Sequence, residues 1–311
     1  MSARDLLALV SLAALWGASF LFIRVAAPAL GAFPLAVGRV LIAAAVLYAV
    51  MRAIGIRTAI RDNARELLTL GALNASIPFV LIAGAELRLT ASLAAMLNAT
   101  VPLWAAVFGA MWLGERFTLK RTAGLLLGVF GVAVLVGWSP IVLTAPVVAS
   151  IVAILIATAS YALAGIYTKR RLSGASKATL TLGQQLGAAV WLIIPALVQA
   201  PRAHPTAPAT GALTALALLC TALAYPLYFH LIASVGPTRT TTVTYLIPMF
   251  GTAWGAIFLH EAVTRGMVLG LGLILLSVLL VNDVRIPLFS AVFTHRSARN
   301  TRGKTNCFDG A

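Results

Sequence analysis

The chain has 311 residues, 61% of them hydrophobic and 10% charged, with a formal net charge of +15 and two cysteines. So little polar surface excludes a water-soluble globule of this size, and Cys220 and Cys307 offer neither a disulfide nor a metal site. A basic balance would point to nucleic acid in a soluble domain, but here the charges fall in alternate loops, which gives them a topological meaning.

A bilayer core of roughly 30 Å requires about 20 apolar residues per helix. The sequence divides into ten such runs: 5–27, 33–51, 66–85, 92–113, 121–138, 147–169, 178–198, 209–233, 238–259 and 265–282. Stretches such as "GLLLGVFGVAVLVG" (Gly124 to Gly137) are apolar on every side, without the period-two alternation of a barrel strand. Backbone groups in lipid bond within their own segment, so the runs read as helices.

The first run carries Trp16, Ser19 and Phe20. Arg24 and Arg39 stand at or inside the ends of the first and second, where they read as cations snorkelling to the interface, with anion binding by Arg39 as the alternative. The third run holds Asn74, Pro78 and Phe79, the fourth Asn98, Pro102 and Trp104, with Glu115 just beyond it. Further along come Ser160 and Tyr161, then Gln184 and Gln185, then Tyr225 and Tyr228. The ninth run opens on Thr240, Thr241 and Thr242, which read as helix caps. It continues through Thr244, Tyr245, Pro248 and Trp254 towards Glu261. Residues 285–311 form a basic tail, expected to be disordered beside the anionic leaflet.

The N-terminus, the loops after runs two, four, six and eight, and the tail together hold 18 Lys and Arg, against five on the other side. The positive-inside rule places both termini in the cytoplasm. Cleavage of the first run as a signal peptide is the competing reading; its length argues against this, as does a counterpart in the second half.

That counterpart belongs to an internal repeat. "PLWAAVFGAMWLGE" (Pro102 to Glu115) returns 146 residues later as "PMFGTAWGAIFLHE" (Pro248 to Glu261), with aromatics paired at Trp104/Phe250, Phe108/Trp254 and Trp112/Phe258. "WGASFLFIR" (from Trp16) returns loosely as "YALAGIYTK" (from Tyr161). The expected organisation is therefore 1–140 as a first five-helix repeat, 141–284 as a second, and 285–311 as the tail. Five is odd, so the second copy enters the membrane from the opposite side, and such inverted repeats are the signature of alternating-access transporters.

The segments "LWGASF" (Leu15 to Phe20), "PLAVGRVLIAA" (Pro34 to Ala44) and the repeated Pro-to-Glu stretch resemble the EamA family of the drug/metabolite transporter superfamily over about residues 5–282. Within it, the chain is similar to bacterial amino-acid exporters of the YddG kind. The resemblance implies multi-pass insertion in the bacterial inner membrane and export of neutral and aromatic amino acids.

Proline in a helix deprives the carbonyl four residues earlier of its partner. Pro78, Pro102 and Pro248 release those of Asn74, Asn98 and Thr244, which marks these positions as helix breaks facing the bundle interior or a watered cavity. A zwitterionic substrate needs hydrogen-bonding groups and aromatic walls. The candidates are Trp16, Ser19, Phe20, Asn74, Phe79, Asn98, Trp104, Ser160, Tyr161, Gln184, Gln185, Tyr225, Tyr228, Thr244, Tyr245 and Trp254. Trp and Tyr also mark membrane interfaces, which is the alternative for each aromatic.

The eight acids fall at helix ends, in loops or in the tail, so no midplane carboxylate offers a proton relay and downhill or weakly coupled transport is expected. Glu115 and Glu261 read as charges favoured by the N-terminal dipole of the helix each precedes, or as ties holding the two ends of the bundle. The histidines are scattered and no metal or cofactor is indicated; the partners are a small-molecule substrate and the bilayer, with oligomeric state open. Drugs or anionic metabolites are the alternative cargo. An embedded enzyme is the alternative class, lacking H-E-x-x-H, G-x-S-x-G and any carboxylate cluster.

Overall fold

The structure is a computed structural model and describes residues 2–114, 118–236 and 240–281. The described residues are helical throughout, with no strand. Eight helices are long and apolar enough to cross a membrane: α1 (Ala3–Leu30), α2 (Ala32–Ala53), α3 (Arg61–Ala85), α4 (Ala91–Leu113), α5 (Leu119–Gly137), α6 (Ala145–Arg171), α7 (Lys177–Arg202) and α8 (Ala207–Val235). Two shorter apolar helices follow, α9 (Val243–Phe258) and α10 (Arg265–Val281). The outward faces of α5 and α7 carry exposed Leu126, Phe130, Val190, Ile194 and Val198, a distribution suited to lipid. Glu115 and the tail lie outside the described residues.

Hydrogen bonds between loops define two ends of the bundle. At the near end, the Ala59 N–H donates to Thr179 Oγ1, and Asp5 at the start of α1 approaches His230 at 3.9 Å. At the far end, the His204 N–H donates to the Ala29 carbonyl, the Phe33 N–H to Gln199 Oε1, and Thr264 Oγ1 to the Trp138 carbonyl.

The two halves are interleaved: α1 packs on α9, α2 on α7, α4 on α6 and α5 on α10. Glycines set the closest approaches. A Cβ on Gly270 would stand 2.5 Å from the Leu135 nitrogen, and one on Gly131 2.9 Å from that of Ile274, so α5 and α10 meet almost backbone to backbone. The α1–α9 contact is built the same way, with Gly17 against Gly251.

The repeat is visible in three dimensions. Trp104, Phe108 and Trp112 stack along α4 with centroids 5.9 and 5.2 Å apart; Phe250, Trp254 and Phe258 do the same along α9 at 6.1 and 5.7 Å. A widened π-turn occupies Ala72–Ser76 in α3, and a second begins 146 residues later at Leu218–Leu223 in α8. Such turns collect at functional sites. In α3 the wide turn leads into Pro78, easing the ring past the Asn74 carbonyl.

The run over 92–113 is two pieces, Ala91–Asn98 and Val101–Leu113, parted at Ala99 and Thr100 just before Pro102, where a helix break was expected. Two expectations are corrected. The copy of this segment does not break: α9 runs on through Pro248, held in the two turns that follow the proline where Gly251 and Gly255 press on Ala95 and Ser92. Nor does the Thr240–Thr242 run cap α9 as expected. Thr242 stands at the N-cap without a side-chain bond, Thr240 Oγ1 donates back to the Gly236 carbonyl, and the Thr241 carbonyl accepts from Thr244 Oγ1.

Candidate functional site

The break in α4 opens a wedge. Its first piece is buried from Ala91 to Leu97, held between α1 and α9, whereas past Thr100 only Leu103 and Gly109 of the second piece are buried. A cavity of about 310 Å³ lies where the pieces part, and it reaches the surface beside exposed Thr241 at the start of α9. Roughly 300 Å³ is the lower range of small-molecule sites.

Ten expected residues line it: Trp16, Ser19, Phe20, Asn74, Phe79, Asn98, Tyr161, Tyr225, Tyr228 and Thr244. Trp16 anchors an aromatic corner, 5.4 Å from Tyr228 and 6.5 Å edge-on to Tyr225. The π-turn of α3 carries Asn74, whose Nδ2 donates to Gln184 Oε1 at 2.7 Å. Gln184 therefore supports a lining residue without lining the cavity itself. Ser160 also acts from behind, its Oγ donating to the Leu73 carbonyl at 2.7 Å.

Four more expected residues fall elsewhere. Trp104 belongs to the α4 aromatic ladder. Trp254 belongs to the α9 ladder and straps that helix to α1 through Nε1 on the Ala14 carbonyl. Gln185 is buried without lining the cavity, and Tyr245 is not among the lining residues.

Arg39 is the main site residue that the snorkelling reading misplaced. It is 7% exposed and lines the cavity. Its guanidinium lies over the Phe79 ring, 3.8 Å from the centroid, and Nε donates to Thr221 Oγ1 at 3.0 Å. Thr221 sits in the second π-turn and donates in turn to the Leu216 carbonyl. Arg39 is the eighth residue of α2, roughly 10 Å along the axis, too deep to bend back to the interface. Ile23, Ile82, Val101, Cys220, Thr241, Val243 and Ile247 complete the lining; nothing in their residue type distinguished them beforehand.

The far end above the cavity is sealed by charge as well as packing. Glu261 does not serve the helix that follows it: Oε1 accepts from the Ala91 N–H and Oε2 from the Ser92 N–H, both at 2.8 Å, so it caps α4. His260, the one described non-glycine residue with positive φ (52°), turns the chain at this point. Beside the cap, Arg24 Nη1 donates to the Glu86 backbone carbonyl, while the Glu86 side chain is fully buried with neither oxygen bonded. Glu261→Gln keeps one acceptor and loses the charge, which in cap exchanges costs about 0.5–2 kcal/mol. We expect a thiol introduced by Ser92→Cys to react several-fold faster with an impermeant maleimide in this background; unchanged labelling would refute the tie.

A many-helix apolar bundle with a polar, aromatic-lined cavity open at one end is the architecture of a membrane transporter. The model of the EamA-like transporter family matches residues 4–137 and again 142–283, and the chain belongs to that family. It is 27% identical over 286 residues to a probable terminal-alkyne amino-acid exporter of Streptantibioticus cattleyicolor, spanning 88% of this chain and 92% of that one. An uncharacterized transporter of Bacillus subtilis, YvbV, is 30% identical over 188 residues, covering 58% of this chain and 59% of the relative. A protein of known crystal structure superposes with a TM-score of 0.63 at 18% identity over 90% of this chain and 96% of its own, a likeness of fold.

Proposed function

We propose that the protein exports small metabolites, neutral and aromatic amino acids foremost, across the bacterial inner membrane by alternating access. The observation that carries this reading is the cavity, with hydrogen-bonding and aromatic walls, open at one end and sealed at the other. The near end is taken as cytoplasmic, a reading that the charge excess of the alternate loops supports, and on it the arrangement is inward-facing. The halves are taken as inverted copies, 1–140 and 141–284. Corresponding aromatic ladders and π-turns at matching places support the duplication, and the broken α4 beside the unbroken α9 is one segment in two shapes, as rocking between two mirror-related states requires.

The printed function of the Streptantibioticus relative favours amino-acid cargo, and the family favours a transporter over an enzyme. Among the described residues no carboxylate lines the cavity, and downhill or weakly coupled flux is part of this reading. Pro102 sits at the break that opens the wedge, Pro78 just past the π-turn of α3, and Glu261 at the seal.

The test is counterflow in proteoliposomes against a panel of amino acids, nucleosides, sugars and cationic drugs. Exchange of Trp, Phe and Met is the expected outcome. Their failure, alongside exchange of a drug or phosphate ester, would dispose of the amino-acid reading, and accumulation that collapses with a protonophore would dispose of uncoupled transport.

A further inference from the structure

We infer that Arg39 is the anion-binding point of the cavity, so that the transported solute must present a carboxylate, or an equivalent oxyanion, to its guanidinium. This rests on the transport reading and narrows its substrate class.

An arginine cannot discharge itself by losing a proton, so its burial must be met by a partner. Arg39 is almost fully buried in the apolar bundle, yet among the described residues no carboxylate pairs with it. Its cavity neighbours Tyr161, Cys220 and Tyr225 are neutral groups. The Phe79 face and Thr221 Oγ1 occupy the ring plane and Nε. Those two contacts fix the direction of the fork, and among the described residues its four remaining N–H groups have no protein acceptor.

The arrangement is thus preorganised and incomplete. Stacking on Phe79 holds the guanidinium plane, and the chain from Arg39 to Thr221 to the Leu216 carbonyl holds its roll. The paired N–H groups of an arginine match the two oxygens of a carboxylate. A structural arginine in a membrane helix pairs with an acidic residue or backbone carbonyls, and among the described residues Arg39 has neither. The same site rejects cationic solutes, because a second positive charge would enter a low-dielectric space already holding one.

Four probes separate the possibilities on purified protein in detergent, read as ligand-induced shifts of the unfolding midpoint and as affinities. L-tryptophan carries both charges, indole-3-propionate only the carboxylate, tryptamine only the ammonium, and phenyl phosphate a different oxyanion. The expected order is tryptophan and indole-3-propionate well above tryptamine, by roughly a hundredfold for a charge pair of this burial. Arg39→Gln should bring the carboxylates down to the level of tryptamine, while Arg39→Lys keeps the order at weaker affinity because it lacks the fork. If the Gln variant does not fold, the Lys variant and the tryptophan-to-tryptamine ratio on the wild type decide alone.

Binding of phenyl phosphate that depends on Arg39, with tryptophan inert, would overturn the amino-acid reading and leave the anion site standing. Tryptamine binding as tightly as tryptophan would overturn the anion site. So would a panel in which no anion protects the wild type more than it protects the Arg39 variants.

Discussion

Proteoliposomes carrying Gly251→Leu are expected to pass less than about a tenth of the wild-type counterflow, through loss of the far seal rather than loss of the fold. A Cβ on Gly251 would stand 2.5 Å from the Ala95 Cβ and 3.4 Å from the Gly17 carbonyl oxygen. Three helices converge on that point: α1, α9 and the first piece of α4. Each added methylene must therefore push α9 off the plug that closes the far end. Overpacking of this kind costs about 1–3 kcal/mol, occasionally more. The cost falls on the sealed arrangement, in which these helices touch, so the balance between sealed and unsealed forms moves roughly ten- to hundredfold. The readout is a pair of measurements. Flux should fall, and a thiol placed by Ser92→Cys, at a position that is fully buried, should become reactive to an impermeant reagent from the far side. Normal flux with a protected thiol would mean that α1, α4 and α9 tolerate separation and that the glycines are not what permits closure.

The second large effect concerns acidity at the same end. Burial holds the Glu86 carboxyl well above the ordinary carboxylate range; Arg24 opposes that shift and the Glu261 carboxylate adds to it. The charged and titratable groups facing it are Arg24 from α1 and, from the connection before α10, Glu261 with His260 beside it. Both Glu86 oxygens lack partners, so the sealed form favours the protonated side chain more than an unsealed far end that would hydrate it. The sign follows. The sealed form binds the proton more tightly, so its stabilisation is complete below the hydrated carboxyl's value near 4.5 and is lost as pH rises towards the elevated value. Raising the pH should thus favour far-side exposure of the Ser92→Cys thiol, each unit of difference being worth about 1.4 kcal/mol. Once labelling is corrected for the thiol's own ionisation, Glu86→Gln should remove its remaining pH dependence and tighten the seal at neutral pH. A pH profile unchanged by that substitution would show that Glu86 does not set it. Glu86 is absent from the cavity lining, so this titration tunes the seal without ferrying a proton alongside substrate.

Much of the helical plan was legible because lipid leaves the backbone no alternative: ten apolar runs became eight long helices and two short ones. Cavity residues such as Asn74, Asn98, Tyr161 and Tyr228 were legible for a related reason, since a polar group in an apolar helix must face protein or water. Composition could not say which aromatics face inward. Trp104 and Trp254 spend their faces on neighbours four residues along the same helix, an arrangement that satisfies the same pattern as a lined pocket. Arg39 was misplaced because depth within a helix depends on where the helix begins, and helix ends are what hydropathy locates least well. Glu261 and Glu86 exposed a deeper limit. One caps a helix 170 residues earlier in the chain, the other is buried by helices from both halves, and neither relation is local.

Both π-turns serve the same cavity. A π-turn holds one residue more than the α-helical turn it replaces. It occurs at Ala72–Ser76 and, 146 residues on, at Leu218–Leu223. The first presents Asn74 to the cavity and the second braces Arg39 through Thr221, so restoring the α-helical register at either turn would re-aim a wall of the site.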